Sequence, residues 1–236
     1  DIDDCVAAIR KADFGGASVT IPHKESIIPH LDTLSPAARA IGAVNTVIVV
    51  ANKEDGTKEL HGDNTDYLGI FNPLAKALGP QYPLRAGASP NLCALVVGAG
   101  GTARAACYCV QRLGLKLHVW NRTYEKAATL ALEFGGTALR DAGELDAVKE
   151  LQCVISTVPA AAGWTLPPAL LEQRPAVVEV VYKPRVTALV TQARGAGCEV
   201  VQGIDMLIAQ GVEQFERWTR RRAPPAMEVN VRAMPE

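Results

Sequence analysis

The chain reads as an α/β protein of two unequal lobes, the larger built on a doubly wound parallel sheet. Three observations carry that expectation. Downstream of residue 92, short apolar runs alternate with helix-spaced segments, the pattern of right-handed βαβ units around a parallel sheet. The first of these runs leads straight into Gly98-Ala99-Gly100-Gly101-Thr102-Ala103, a glycine-rich strand-to-helix turn. Upstream the texture is different: β-prone runs bounded by proline and turn residues point to a separate, smaller α/β lobe.

In chain order, residues 17–21 form a short β-prone run that stops at Pro22, whose fixed φ suits the entry to a helix expected from about Lys24. A second β-prone run covers 44–50, and the polar stretch 51–58 reads as a hairpin loop leading to Leu60-His61-Gly62. Residues 79–91 hold three prolines and two glycines and mark a linker. Residues 93–97 are apolar throughout, as in a strand buried on both faces. A helix at 102–113, a strand at 116–120 and a helix at 124–134 that stops at Gly135-Gly136 follow. Strands at 153–158 and 177–182, a helix at 187–194 and a strand at 199–201 continue the alternation, and an amphipathic helix at 206–220 leaves it. The expected division is 66–205 for the larger lobe and 1–65 with 206–236 for the smaller.

Composition excludes several function classes. Of 236 residues, 48% are hydrophobic and 21% charged, the balance of a folded domain rather than a disordered segment. A net charge of -1 with only Arg220-Arg221-Arg222 as a tight basic run is no nucleic-acid footprint, and no apolar run reaches membrane-span length. The six cysteines, at 5, 93, 107, 109, 153 and 198, form no Cys-x-x-Cys pair, and no histidine spacing completes a metal site, so no metal is expected. Reduced, packed thiols point to a cytoplasmic protein.

The glycine turn has the context that makes such a pattern informative. Gly98, Gly100 and Gly101 follow a strand and open a helix, where a tight turn lets pyrophosphate approach the N–H groups at the positive helix end. Thr102 joins that end, and Ala103 takes the third small position, where helix and strand pack closely. This makes the larger lobe Rossmann-type. Its second strand ends in Asn121-Arg122-Thr123, not in the acidic residue that hydrogen-bonds a ribose 2′-hydroxyl. Arg122 can instead pair with a 2′-phosphate and stack on adenine, with the Thr123 hydroxyl beside it and Lys126 one turn on. The cofactor expected is NADP.

Ahead of this turn stand two acid–base candidates: Lys24 in Ser18-Val19-Thr20-Ile21-Pro22-His23-Lys24, and Asp66 in Gly62-Asp63-Asn64-Thr65-Asp66. A lysine and a carboxylate beside a dinucleotide site suggest proton transfer coupled to hydride transfer. These motifs, with Gly42-Ala43-Val44-Asn45-Thr46, Asn121-Arg122-Thr123 and Met206-Leu207-x-x-Gln210-Gly211, occur in the order seen in shikimate dehydrogenases, which the chain resembles over nearly its whole length. Phe14-Gly15-Gly16-Ala17-Ser18 and Val181-Tyr182-Lys183-Pro184 are similar to the C-terminal domain of the fungal pentafunctional shikimate-pathway polypeptide and to its quinate-repressor relative.

The resemblance implies reversible NADPH-dependent reduction of 3-dehydroshikimate to shikimate, the substrate partner. Lys24 and Asp66 would be the catalytic pair. Thr20, Asn45, Tyr182 and Gln210 would meet the substrate, and Gly203 and Met206 the nicotinamide. A quinate dehydrogenase, or a non-catalytic repressor domain acting in the nucleus, fits the same motifs. Each residue also has a plainer alternative: Lys24 a surface lysine, Asp66 a helix N-cap, Asn45 a turn residue, Gln210 a solvated helix residue. The family's opening strand, with a Ser-x-Ser-type segment that holds the substrate carboxylate, has no counterpart before Asp1-Ile2-Asp3-Asp4. The smaller lobe is therefore expected to be N-terminally truncated, lacking its first strand and helix, weak in substrate binding and prone to homo-oligomerise through an open sheet edge. Upstream fused domains such as a dehydroquinase are implied as well.

Overall fold

The computed structural model describes residues 2–11, 14–51, 56–84 and 91–233. Parts of the expected hairpin loop and of the 79–91 linker fall outside these.

Among the described residues the larger sheet has six strands, all parallel, in the order β10-β9-β8-β5-β6-β7. They are β5 (Cys93–Val97), β6 (Lys116–Trp120), β7 (Thr137–Leu139), β8 (Leu151–Ser156), β9 (Ala176–Glu179) and β10 (Val200–Val201). β5 is buried along its whole length because it is central and covered on both faces. Ala94 and Val96 point into one core, Cys93, Leu95 and Val97 into the other, as the period-two alternation of a strand requires. From β5 the chain winds outward one way through β6 and β7, then returns to β8 on the other side. The strand order reverses between β5 and β8, and at such a switch point a crevice opens beyond the carboxyl ends of the strands.

Among the described residues the smaller sheet has four strands, in the order β1-β3-β4-β2: β1 (Gly16–Ser18), β2 (Thr33–Leu34), β3 (Thr46–Ala51) and β4 (Lys58–Asp63). β3 and β4 pair antiparallel from Thr46↔Asp63 to Ala51↔Lys58, so the two arms of the expected hairpin are present. Its core gathers Val6 and Ile9 of α1 (Ile2–Ile9) with Ile27, Ala38, Val44, Val47 and Leu60.

Two helices bridge the sheets. α3 (Asp66–Leu78) and α9 (Gly203–Thr219) cross at Gly69, where a Cβ would stand 2.9 Å from the Met206 carbonyl oxygen. Ile70, Leu74 and Met206 join the larger core. Further along α9, Trp218 Nε1 donates to the Val47 carbonyl of β3 at 2.9 Å.

Several local expectations need correction. No helix begins at Lys24: residues 21–27 are a string of turns, followed by a 3-10 turn at Ile28–His30. Pro29 has no N–H to donate to the preceding turn, which disfavours a longer helix here. α2 (Pro36–Ile41) lacks a long apolar period, but its N-terminus was legible: Ser35 Oγ caps Ala38 N at 3.0 Å and proline follows it. β7 and α10 (Ala226–Ala233) were likewise not anticipated.

Candidate active site

Among the described residues, two cavities lie between elements of the smaller and larger sheets, and a third lies wholly on the larger-sheet side. The first, of about 630 Å³, sets Ile21, Pro22 and Lys24 against the 99–104 turn, with Lys126 at its side. In the second, about 370 Å³, Lys24, Asp66 and Thr102 lie together with Thr20, Asn45, Tyr182, Gly203, Met206 and Gln210. The third, about 450 Å³, is walled by Trp120, Asn121 and Arg122 on one side and Trp164 on the other. Lys24 and Thr102 belong to both the first and the second.

The second cavity is where chemistry can occur. Lys24 Nζ donates to Asp66 Oδ2 at 2.5 Å, and both residues are buried, at 9% and 4% exposure. So Lys24 is no surface lysine. Asp66 is the first residue of α3, after Thr65 at the cap position, so its carboxylate is free to face the cleft. Its other oxygen, Oδ1, accepts from Asn45 Nδ2 at 2.9 Å. Asn45 is in turn held by Thr65 N, which donates to Asn45 Oδ1 at 2.7 Å, and by Thr46 Oγ1 at 2.7 Å. Its amide is thus committed to orienting Asp66 as well as lining the cavity. Gln210 Nε2 donates back to Leu207 O at 2.9 Å, with Oε1 3.4 Å from Asn45 Nδ2. Thr20 and Tyr182 stand at the exposed rim, Tyr182 at 52%.

Gln214 and Trp164 are among the lining residues that the sequence did not single out. Ser18 Oγ donates to Gln214 Oε1 at 2.8 Å, and Gln214 Nε2 donates to Asn45 O and Thr46 Oγ1, each at 3.0 Å. Gln214 follows Gln210 by one helical turn on the same face, a spacing that could have revealed it. Trp164 had no such signal, since only the β6-β5-β8 order brings its loop opposite Arg122.

The glycine turn has the geometry of a cradle for a dinucleotide. Gly98 has φ +113, and a Cβ there would overlap Thr157 Oγ1, so only glycine turns the chain at this point. A Cβ on Gly100 would meet nothing within 4 Å, which leaves open space before the helix. Gly100 caps α4 (Gly101–Leu113) without any side-chain hydrogen bond, so no cap side chain occupies the N–H groups of its first turn, whose residues line the first cavity. This is a fit for a pyrophosphate. Gly100, Gly101, Thr102, Ala103 and Lys126 line the first cavity, and Asn121 and Arg122 the third. Gly98 and Thr123 line neither; the Thr123 carbonyl instead accepts from Asn121 Nδ2 at 2.9 Å. Arg122 and Lys126 are exposed. Gly203 is pressed against the Val181 carbonyl, where no side chain would fit. Among the described residues no cluster could hold a metal ion.

Electrostatics behind the cavity are shaped by burial. Burial alone would raise the Asp63 carboxyl, but hydrogen bonds from Ser35 and Arg217 outweigh it and hold the group below the usual carboxylate range. At the end of β9 the balance reverses for Glu179. Its burial outweighs hydrogen bonds from the Val181 amide, Thr187 and Ser156, so its carboxyl is raised.

Comparison with known proteins agrees with this geometry. Residues 1–47 match the shikimate dehydrogenase substrate binding domain, residues 86–164 the shikimate / quinate 5-dehydrogenase family and residues 203–226 the shikimate 5'-dehydrogenase C-terminal domain. The chain is 37% identical to the pentafunctional AROM polypeptide of Mycosarcoma maydis over 96% of its own length, yet spans only 15% of that polypeptide. It is 36% identical to a quinate repressor protein of Emericella nidulans, covering 92% of this chain and 28% of that protein. Identity to the shikimate dehydrogenase (NADP(+)) of Moorella thermoacetica is 36%, with 96% of this chain and 77% of that enzyme covered. Among solved structures, the Thermus thermophilus shikimate 5-dehydrogenase in complex with NADP(H) and shikimate superposes with a TM-score of 0.76 at 34% identity, covering 97% of this chain and 82% of that one. With the motifs in order, the fold in agreement and a whole enzyme matched over most of its length, the chain belongs to the shikimate dehydrogenase family.

Proposed function

We propose that this chain catalyses the reversible NADPH-dependent reduction of 3-dehydroshikimate to shikimate. The observation that carries this reading is the buried Lys24–Asp66 pair, 2.5 Å apart, in a cavity that shares Lys24 and Thr102 with the glycine-turn cavity. NADP, when bound, supplies or accepts the hydride at the carbinol carbon. Lys24 and Asp66 take the hydroxyl proton in oxidation and return it to the ketone oxygen in reduction, so proton and hydride leave from adjacent atoms. Asn45 holds Asp66 for this exchange, and Thr20, Asn45, Tyr182 and Gln210 meet the ring substituents. Gly100, Gly101, Thr102 and Ala103 would hold the pyrophosphate, with Gly98 setting the turn. Asn121, Arg122, Thr123 and Lys126 would hold the 2′-phosphate, and Gly203 and Met206 would line the nicotinamide's place. The substrate lobe comprises 1–65 with 206–236, and the cofactor lobe 66–205. α9 serves both, through Met206 in one core and Trp218 on β3.

Among the described residues no helix is long and apolar enough to cross a membrane, and we place the protein in the cytoplasm. In a longer polypeptide, upstream shikimate-pathway domains such as a dehydroquinase accompany it, as the AROM likeness suggests. The likeness to a quinate repressor favours a second reading, a nuclear domain that binds pathway metabolites without turnover. The test is NADPH absorbance in steady state with shikimate and, separately, quinate. Turnover of shikimate at the higher kcat/KM supports the proposal, preference for quinate reassigns the substrate, and ligand binding without turnover establishes the repressor reading.

A further inference from the structure

Thr102 is the second residue of α4, so its backbone belongs to the glycine turn while its hydroxyl lies 3.2 Å from Lys24 Nζ. Among the described residues the ammonium has two acceptors, Asp66 Oδ2 at 2.5 Å and Thr102 Oγ1. An ammonium carries three donors, which leaves one for the cavity. The lysine stem is fixed from the same side. A Cβ on Gly101 would stand 3.0 Å from Lys24 Cβ and 3.4 Å from its Cδ, so the glycine at 101 makes room for the lysine as well as for a ligand. Lys24 and the turn are therefore registered against each other by packing and by one hydroxyl.

We propose that Thr102 is a positioning residue that, with Asp66, aims the third N–H of Lys24 into the substrate cavity. A lysine held at one point can swing about that contact; held at two, it has a direction. The turn that cradles the cofactor thereby also orients the proton-transfer group across the boundary between the two cavities. This rests on the reading of Lys24 as the residue that moves the hydroxyl proton.

Thr102→Val and Thr102→Ser separate the hydroxyl from everything else. Valine keeps the shape and the backbone N–H, whereas serine keeps the hydroxyl. Misplacing a reacting group by about 1 Å can cost about 10²-fold, and loss of one of two anchors is expected to lower kcat by about tenfold, with KM for NADPH within about twofold. Serine should restore most of kcat. A second readout needs neither turnover nor cofactor: acetylation of Lys24 by acetic anhydride in the cofactor-free protein, followed on the Lys24 peptide by mass spectrometry. Losing an acceptor should make Lys24 label several-fold faster in the valine variant and at the wild-type rate in the serine variant. Equal labelling in all three proteins overturns the proposal, as does a serine variant that behaves like valine, or a loss confined to KM for NADPH. Should labelling follow the hydroxyl while the wild type turns over neither shikimate nor quinate, the positioning role stands and the enzymatic reading falls.

Discussion

Lys24 is an uncommon lysine: buried, anchored at its tip and packed along its stem under Gly101. Lys24→Met keeps the stem and removes only the ammonium. It is expected to cut turnover by about 10²–10⁴-fold, the usual worth of a general acid–base group, while calorimetry finds NADP affinity nearly unchanged. A variant that kept wild-type turnover would make the buried pair purely structural. Arg122, which makes no hydrogen bond or ion pair among the described residues, is free for a phosphate. Arg122→Glu exchanges a phosphate partner for one suited to a ribose hydroxyl. A charge-assisted hydrogen bond is worth roughly 1.5–3 kcal/mol and about 1.4 kcal/mol is tenfold, so NADP affinity should fall at least about tenfold relative to NAD. Equal dissociation constants before and after would remove Arg122 from the cofactor site.

Among the elements, α9 holds the site together. Arg217 of this helix donates to Asp63 Oδ2 of β4 at 2.5 Å, and Ser35 Oγ, the cap of α2, donates to Asp63 Oδ1 at 2.5 Å. One carboxylate thus joins three elements behind Asn45 and Asp66. Because the folded state depresses the Asp63 carboxyl, its contribution to stability is fully present above the unfolded value near ~3.9 and is lost as pH falls through the folded value. Asp63→Asn should cost about 1.5–3 kcal/mol at neutral pH, the worth of hydrogen bonds to a charged group, and should flatten the acid limb. Urea unfolding at neutral pH and at several acid values measures both, and an acid limb as steep as wild type would place the dependence elsewhere.

At the scale of the molecule, the cleft depends on how two sheets are held apart. Arg104 of α4 acts as a strut: its Nε donates to the Ile41 carbonyl at the end of α2, at 2.7 Å, while its other end pairs with Glu133 of α5 (Tyr124–Glu133). Gly42, with φ +69, leaves room for the guanidinium. Arg104→Met keeps the stem and removes the strut. Each lobe retains its own core, so the thermal midpoint should move little. KM for substrate and cofactor should both rise, by up to about tenfold for about 1.4 kcal/mol of lost alignment. A change in only one of the two constants would show that Arg104 serves one cavity rather than their relative placement.

The larger lobe was legible because its determinants are local. An apolar run, a glycine turn and a helical period lie within a few residues of one another, and β5, α4 and β6 fall almost where these signals put them. Lys24, Asp66 and Arg122 could be named for the same reason, each inside a short motif. The brief strands β2 and β7 left weaker local marks, because two- or three-residue strands exist only through their neighbours in the sheet. The 2.5 Å approach of Lys24 to Asp66, the hydroxyl of Thr102 beside them, Gln214 behind Asn45 and Trp164 across from Arg122 depend on residues far apart in the chain. The sequence by itself determined which chemical groups this protein carries and the elements that bear them. Only the tertiary structure decided which of them meet, because side-chain direction across a cleft is set by how two sheets and two bridging helices pack.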